Sequence, residues 1–258
     1  MKVTHAIAIG VAVTTVVIVV VVPPAVLLSP RTGKFRETFM QRCEEFPQER
    51  QICEKTLAAF EQAYVGKESC NFPEKDYDPV LNDTPFTHPA SMTMLWSKTK
   101  DLVREFTKKR DCFFILEDTL LGYVLDGQSW CGQEGSRATF TYRCERCTIN
   151  PVSSFWSRAS ARFAAHASGE VTVMLDGGLD EPYSPDSVLA RVEIPQLHHS
   201  KVTHLSVILL TDQKNCDCES LQNLRKDLHH GIGCTCKAVT ASHIQNCIAE
   251  NKPCGTCW

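Results

Sequence analysis

Residues 150–175 read NPVSSFWSRASARFAAHASGEVTVML, and two different periodicities meet inside them. Asn150 before Pro151 is a helix start. An asparagine side chain accepts a hydrogen bond from the first turn, and proline at the first helical position gives up only an N–H that would have no partner there. The helix expected over 150–165 places Phe155, Ala159 and Phe163 on a core face, with Trp156 and Ser160 four apart on a neighbouring line. EVTVML at 170–175 then changes to a strand pattern. Further strands are expected at 188–194 (VLARVEI) and 202–210 (VTHLSVILL), with a helix at 219–229. The C-terminal part, about 150–258, therefore reads as an α/β lobe with a short, mainly parallel sheet.

Upstream the signals are helical. Phe35 and Phe39, then Ile52, Leu57, Phe60 and Tyr64, predict two short helices whose connecting turn is bracketed by Cys43 and Cys53. A third, amphipathic helix is predicted over 92–109, which would put Trp96 and Lys100 on one face. Residues 71–89 carry four prolines and read as a loop. That loop holds the sequon Asn82-Asp83-Thr84, weakened by Pro85, so Asn82 is the candidate glycosylation site. A polar, hairpin-like region at 132–148 is closed by Cys131, Cys144 and Cys147. The fold class expected is α/β in two lobes (α+β overall), with a helical lobe over about 29–149 preceding the α/β lobe.

Residues 6–28 are apolar apart from Gly10, Thr14, Thr15, Pro23 and Pro24, a length that spans a bilayer. They read as a transmembrane signal anchor behind a cytosolic tail of residues 1–5, in a single-pass type II orientation. A cleaved signal peptide and secretion is the alternative. Fourteen cysteines favour an oxidising compartment and an extracellular or luminal domain over 29–258. Zinc is the lesser reading of Cys144-x-x-Cys147 and Cys254-x-x-Cys257, because ten cysteines would remain to be accounted for. A net charge of -3 leaves no basic footprint for nucleic acid.

The chemistry-bearing residues sit in apolar surroundings. Residues 115–132 (ILEDTLLGYVLDGQSWCG) embed Glu117 and Asp126 among leucines and a tyrosine. Such carboxylates are either helix caps or the lining of a polar pocket. Nine residues apart, the two converge only if the chain turns near Gly122. Glu193 falls near the end of the strand predicted at 188–194, where ligands gather in α/β sheets; a solvated strand face explains it equally well. His198-His199 and His229-His230 read as surface pairs, and no nucleophile elbow, zinc-protease helix or P-loop is present.

Taken together, Leu95-Trp96-Ser97, Leu116-Glu117-Asp118-Thr119-Leu120-Leu121-Gly122-Tyr123, Trp130-Cys131-Gly132, Asn150-Pro151-Val152-Ser153 with Phe155-Trp156, and Val173-Met174-Leu175 resemble the animal ADP-ribosyl cyclase family. The order and spacing hold from about Phe35 to the C-terminus. The resemblance implies a two-lobed ectoenzyme that cleaves the nicotinamide–ribose bond of NAD, giving ADP-ribose and cyclic ADP-ribose and hydrolysing the latter, with base exchange on NADP. It implies Glu193 as the catalytic carboxylate and Glu117 as a second acid that, with Asp126, faces nicotinamide. Trp96 and Trp156 would flank the ring, Ser160 would line the pocket, and Lys98 and Lys100 would bind substrate. No metal or cofactor is expected, since NAD is the substrate; a homodimer stays open.

The resemblance also implies the disulfides Cys43–Cys53, Cys70–Cys147, Cys131–Cys144 and Cys247–Cys254, with one joining Cys216 or Cys218 to Cys234 or Cys236. Two family cysteines, falling near Ala90 and Ser168, are absent together. The chain departs from the family at Val188-Leu189-Ala190-Arg191, where mammalian members have Thr-Phe-Gly-Ser, and at Lys98, where arginine is common. A non-catalytic surface receptor or adhesion protein on the same scaffold is the competing reading. It gives no reason for a charged and aromatic set in one cleft.

Overall fold

The computed structural model describes residues 30–46, 52–108, 112–142, 144, 147–213 and 216–258. The expected anchor at 6–28 lies outside them. Among the described residues no helix is long and apolar enough to cross a membrane.

The helical elements α1 (Pro30–Glu45), α2 (Cys53–Tyr64) and the short α3 (Asp78–Asp83) precede strand β1 (Thr93–Ser97). Helices α4 (Lys100–Lys108), α5 (Leu120–Leu125) and α6 (Pro151–His166) follow, then β2 (Gly169–Asp176), β3 (Val202–Leu210), α7 (Gln222–Asp227), β4 (Gly233–Val239) and α8 (Ala241–Ala249). The four strands form one parallel sheet in the order β1-β2-β3-β4.

Period-two alternation sends the strand side chains to two cores. Leu95, Val171, Val173, Leu175, Leu205 and Val207 join a large cluster under α6, while Met94, Met174 and Ile208 meet Val103, Phe106, Ile244 and Ile248 of α4 and α8. The large cluster continues into the helical lobe around Phe60, whose ring lies within 6.2 Å of Phe35, Phe39, Tyr64, Tyr77, Trp130 and Phe155. One continuous core thus joins the helical elements to the sheet and fixes the cleft between them.

Helix α6 opens as its sequence dictates. Asn150 Oδ1 accepts from the Ser153 N–H at 3.0 Å, Ser153 Oγ accepts from the Asn150 N–H at 2.9 Å, and Pro151 occupies the first turn. Strands β2 and β3 coincide with the runs read as strands.

Four regions differ from the sequence reading. The helix expected over 92–109 begins as strand β1, because Thr93, Met94, Leu95 and Ser97 are all buried, a pattern that suits a covered parallel strand. Lys98, at φ +63°, makes the sharp turn into α4. The strand expected at 188–194 is instead a π-helical turn, Leu189–Glu193, running into the 3₁₀ turn Ile194–Gln196. Its buried residues Leu189, Ala190, Glu193, Ile194 and Leu197 recur at helical intervals that its β-branched composition concealed. Strand β4 lies in the cysteine-rich C-terminal segment 234–258, read from the sequence without a strand, and its partly buried positions Cys234 and Cys236 bear disulfides where a strand usually shows branched apolar residues. The proline-rich loop contains a 3₁₀ turn and α3, and Arg158 of α6 binds the Asp78 carboxylate there through two hydrogen bonds of 2.7 and 2.9 Å.

Seven disulfides pair all fourteen cysteines. Cys43–Cys53, Cys70–Cys147 and Cys131–Cys144 are as expected. Cys247–Cys254 is not: Cys247 pairs with Cys257, and Cys254 with Cys112. Cys257 is buried beside Cys247 on α8, whereas the following 3₁₀ turn presents Cys254 to the segment after α4. Cys216–Cys236 and Cys218–Cys234 both form, making a double rung onto β4.

Candidate active site

A cleft of about 580 Å³ opens between the carboxyl end of β1, the turn before α5, helix α6 and the π-helical turn. Trp96, Lys98, Lys100, Glu117, Asp126, Trp156, Ser160 and Glu193 all line it, so one cavity gathers every catalytic and substrate-binding candidate named from the sequence.

The local fold explains each placement. Trp96, next to last in β1, lies with its ring against the smaller core, and the turn at Lys98 swings Lys98 and Lys100 to the rim. Trp96 and Lys100 therefore meet across a strand-to-helix turn, not along one helix face. On α6, Phe155 packs into the core while Trp156 beside it emerges into the cleft, ring centroids 5.2 Å apart, and Ser160 follows one turn later.

Glu117 stands on the 3₁₀ turn Leu116–Asp118, and the extended residue Thr119 breaks the chain before α5. That break, three residues ahead of Gly122, brings Glu117 and Asp126 to one wall. Gly122 has a different duty: a β-carbon there would lie 1.9 Å from the Leu116 carbonyl oxygen, so only glycine lets α5 sit against the Glu117 turn.

The electrostatics separate three carboxylates. Glu193, almost completely buried, is pushed up to about 7 by desolvation, against a hydrogen bond from Ser160, and the neighbouring Glu117 raises it further. Glu117 is also raised, chiefly by burial, with opposing help from a backbone hydrogen bond, from the Trp96 indole N–H, which donates to Oε2 at 3.4 Å, and from the Lys100 charge. Asp126 is held by cations: Lys100 Nζ lies 2.7 Å from Oδ1 and Arg104 Nη1 2.5 Å from Oδ2. Arg42 of α1 donates to the Val124 and Asp126 carbonyls at 3.1 and 2.7 Å and pins the backbone of the same loop.

Arg104 and Arg42 escaped the sequence reading. Arg104 was within reach, four residues after Lys100 and so on the same helix face; Arg42 lies 84 positions from Asp126 and left no local signal. Asp186, Ser187, Val188 and Leu189 complete the mouth, with Val188 exposed and Leu189 buried at the departure from the family pattern. Asn82 lies outside the cleft on α3, exposed, its amide oxygen accepting from Arg162 Nη2 at 2.5 Å. Among the described residues no three histidine, cysteine or acidic side chains form a metal-binding group. The two histidine pairs meet on the surface, where His199 and His229 stack with centroids 4.1 Å apart.

This arrangement suits a substrate that develops positive charge: one shielded carboxylate at the base, a second acid beside it, two indoles and a cationic rim. A family model described as ADP-ribosyl cyclase matches residues 32–256. The ADP-ribosyl cyclase/cyclic ADP-ribose hydrolase 1 of Mus musculus is 35% identical over 211 residues, 76% of this chain and 69% of the relative. The ADP-ribosyl cyclase/cyclic ADP-ribose hydrolase of Aplysia kurodai is 31% identical over 193 residues, 69% of this chain and 68% of the relative. Porcine CD38, solved with a covalent intermediate, ribo-F-ribose-5'-phosphate, superposes with a TM-score of 0.70 at 34% identity, covering 80% of this chain and 96% of that one. Aplysia cyclase, solved with substrate NGD and product cGDPR, gives 0.72 at 26% identity, covering 86% and 94%. The chain belongs to the ADP-ribosyl cyclase family.

Proposed function

We infer that the protein cleaves the nicotinamide–ribose bond of NAD, releasing nicotinamide with ADP-ribose and cyclic ADP-ribose, and that it hydrolyses cyclic ADP-ribose. The observation that carries this reading is Glu193: a buried carboxylate hydrogen-bonded to Ser160 in a cleft that also holds Trp96 and Trp156.

Nicotinamide in NAD is a cationic leaving group. When the bond breaks, its electron pair goes to the pyridine nitrogen, nicotinamide leaves neutral, and positive charge passes to the ribosyl carbon. The Glu193 carboxylate stabilises that oxocarbenium-like centre, as the carboxylate of a glycosidase does. Indole faces hold the pyridinium beforehand by cation–π attraction of about 0.5–2 kcal/mol. Glu117 and the Asp126 wall sit on the nicotinamide side, and Lys98 and Lys100 meet the diphosphate at the rim. Water adding to the ribosyl carbon and losing a proton gives ADP-ribose; a ring nitrogen of the substrate's own adenine, attacking in its place, gives the cyclic product. A second pyridine base trapping the same centre gives base exchange, proposed here for NADP. No cofactor enters these steps.

We place the enzyme as an ectoenzyme on the strength of its seven disulfides. Anchoring by residues 6–28, a glycan on Asn82 and homodimer formation belong to the same proposal. Protein made through an oxidising secretory route and incubated with NAD should release nicotinamide, with ADP-ribose and cyclic ADP-ribose resolved by chromatography. A folded, fully disulfide-bonded sample that releases no nicotinamide defeats the reading.

A further inference from the structure

Asp126 carries more charged partners than any other group lining the cleft. Its carboxylate is only 12% exposed, with Lys100 on Oδ1 at 2.7 Å and Arg104 on Oδ2 at 2.5 Å. Lys100 lines the cleft; Arg104 does not, standing one helical turn behind it on α4. One oxygen is thus served by a cation outside the cleft and the other by a cation at its wall.

We propose that Arg104 is a positioning residue for the cleavage reaction: by occupying Oδ2 of Asp126 it leaves Lys100 only Oδ1 to serve, and so keeps the Lys100 ammonium shared between Asp126 and the interior of the cleft. The proposal rests on the NAD-cleaving reading of this site. An ammonium carries three donors, and with one directed to Oδ1 the remainder are free for an incoming diphosphate. Asp126 with both cations amounts to a wall of charge +1; with Lys100 alone it is neutral, and that ammonium is drawn across both oxygens.

The same change reaches Glu117. Lys100 favours the ionised form of Glu117 and Asp126 opposes it. Removing Arg104 acts twice in one direction, leaving Asp126 less neutralised and pulling Lys100 away from Glu117. Arg104 is 44% exposed, so solvent screens the effect, and a several-fold change is expected instead of a collapse.

The test compares Arg104→Gln and Arg104→Lys with the wild type in the full chain. Arg104→Gln should raise KM for NAD roughly 2–5-fold with kcat nearly unchanged. Arg104→Lys should restore the KM. A second readout needs no turnover. The Trp96 indole bonds to Glu117, so the pH titration of its fluorescence, taken as the difference from Trp96→Phe, should show a midpoint raised by Arg104→Gln. Should the wild type release no nicotinamide, the proposed function fails while this titration still judges Arg104. Unchanged KM and fluorescence midpoint in Arg104→Gln overturn the proposal. So does an Arg104→Lys variant as impaired as Arg104→Gln, or an activity loss that merely follows a fallen thermal midpoint.

Discussion

Replacing Glu193 with glutamine should cut turnover steeply while making the protein more stable at alkaline pH. The carboxyl is moved from its ordinary 4.5 to about 7, with burial as the leading cause and Glu117 adding to it against the Ser160 hydrogen bond. Because the folded value lies above the unfolded one, the fold binds this proton more tightly than the unfolded chain does. Stability from this group is intact at pH 4, declines as pH rises from about 4.5 towards 7, and levels off above that. At about 1.4 kcal/mol per pH unit, the raised value destabilises the fold by roughly 3 kcal/mol at pH 8 and by under about 1 kcal/mol at pH 5, where Glu193 stays protonated in the fold. Glutamine keeps the shape and a hydrogen bond to Ser160 but carries no charge. Glu193→Gln should therefore melt higher at pH 8, by roughly 6–12 °C for a domain of this size, and show little change at pH 5. Its kcat should fall by about 10²–10³-fold or more, since the stabilising charge at the ribosyl centre is gone. In the wild type, kcat/KM should rise with pH as Glu193 ionises, with a midpoint near 7. Thermal unfolding at the two pH values with nicotinamide release by chromatography tests all of this. Near-normal activity in Glu193→Gln, or a stability gain equal at both pH values, would refute the assignment of Glu193 as a buried carboxylate held ionised for catalysis.

Trp96→Phe keeps an aromatic wall but removes the N–H that reaches Glu117; at 3.4 Å that bond is long, so a loss of about 0.5–1 kcal/mol in kcat/KM is expected in steady-state kinetics. Gly122→Ala drives a methyl group into the Leu116 carbonyl and should cost roughly 1–3 kcal/mol in denaturant unfolding, with the Glu117 turn displaced and activity lost; a neutral substitution would show that α5 yields freely. Non-reducing peptide mapping should recover Cys112–Cys254 and Cys247–Cys257 as linked fragments, and recovery of Cys247–Cys254 would contradict the packing of the C-terminal cap.

In β1 the last buried residues come immediately before a positive φ at Lys98, and that turn delivers two cations to the rim. On α6 one helix face holds the core through Phe155 and Phe163 while the adjacent line supplies Trp156 and Ser160. The site thus combines regular elements, Trp96 on β1 and Trp156 with Ser160 on α6, with tight turns that carry Lys98, Glu117 and Glu193.

What the sequence by itself determined is what local chemistry controls. The Asn150–Pro151 cap, strands β2 and β3 and the i, i+4 pairing of Trp156 with Ser160 depend on neighbours within a few residues, and all could be read from spacing. Motif order from 95 to 175 marked the family, and with it the cleft residues. What only the tertiary structure decided are features set by burial across the chain. Whether 93–97 and 188–194 were strand or helix depended on which sides other elements covered, so a β-rich run became the turn that buries Glu193. The partners of Cys254 and Cys257 depended on Cys112, 142 positions away from Cys254. The raised affinity of Glu193 for its proton is a property of a buried site assembled from distant segments, and the capture of Asp126 by Lys100 and Arg104 joins residues 26 and 22 positions apart. A linear sequence carries the charges but not the solvent exclusion that gives them their strength.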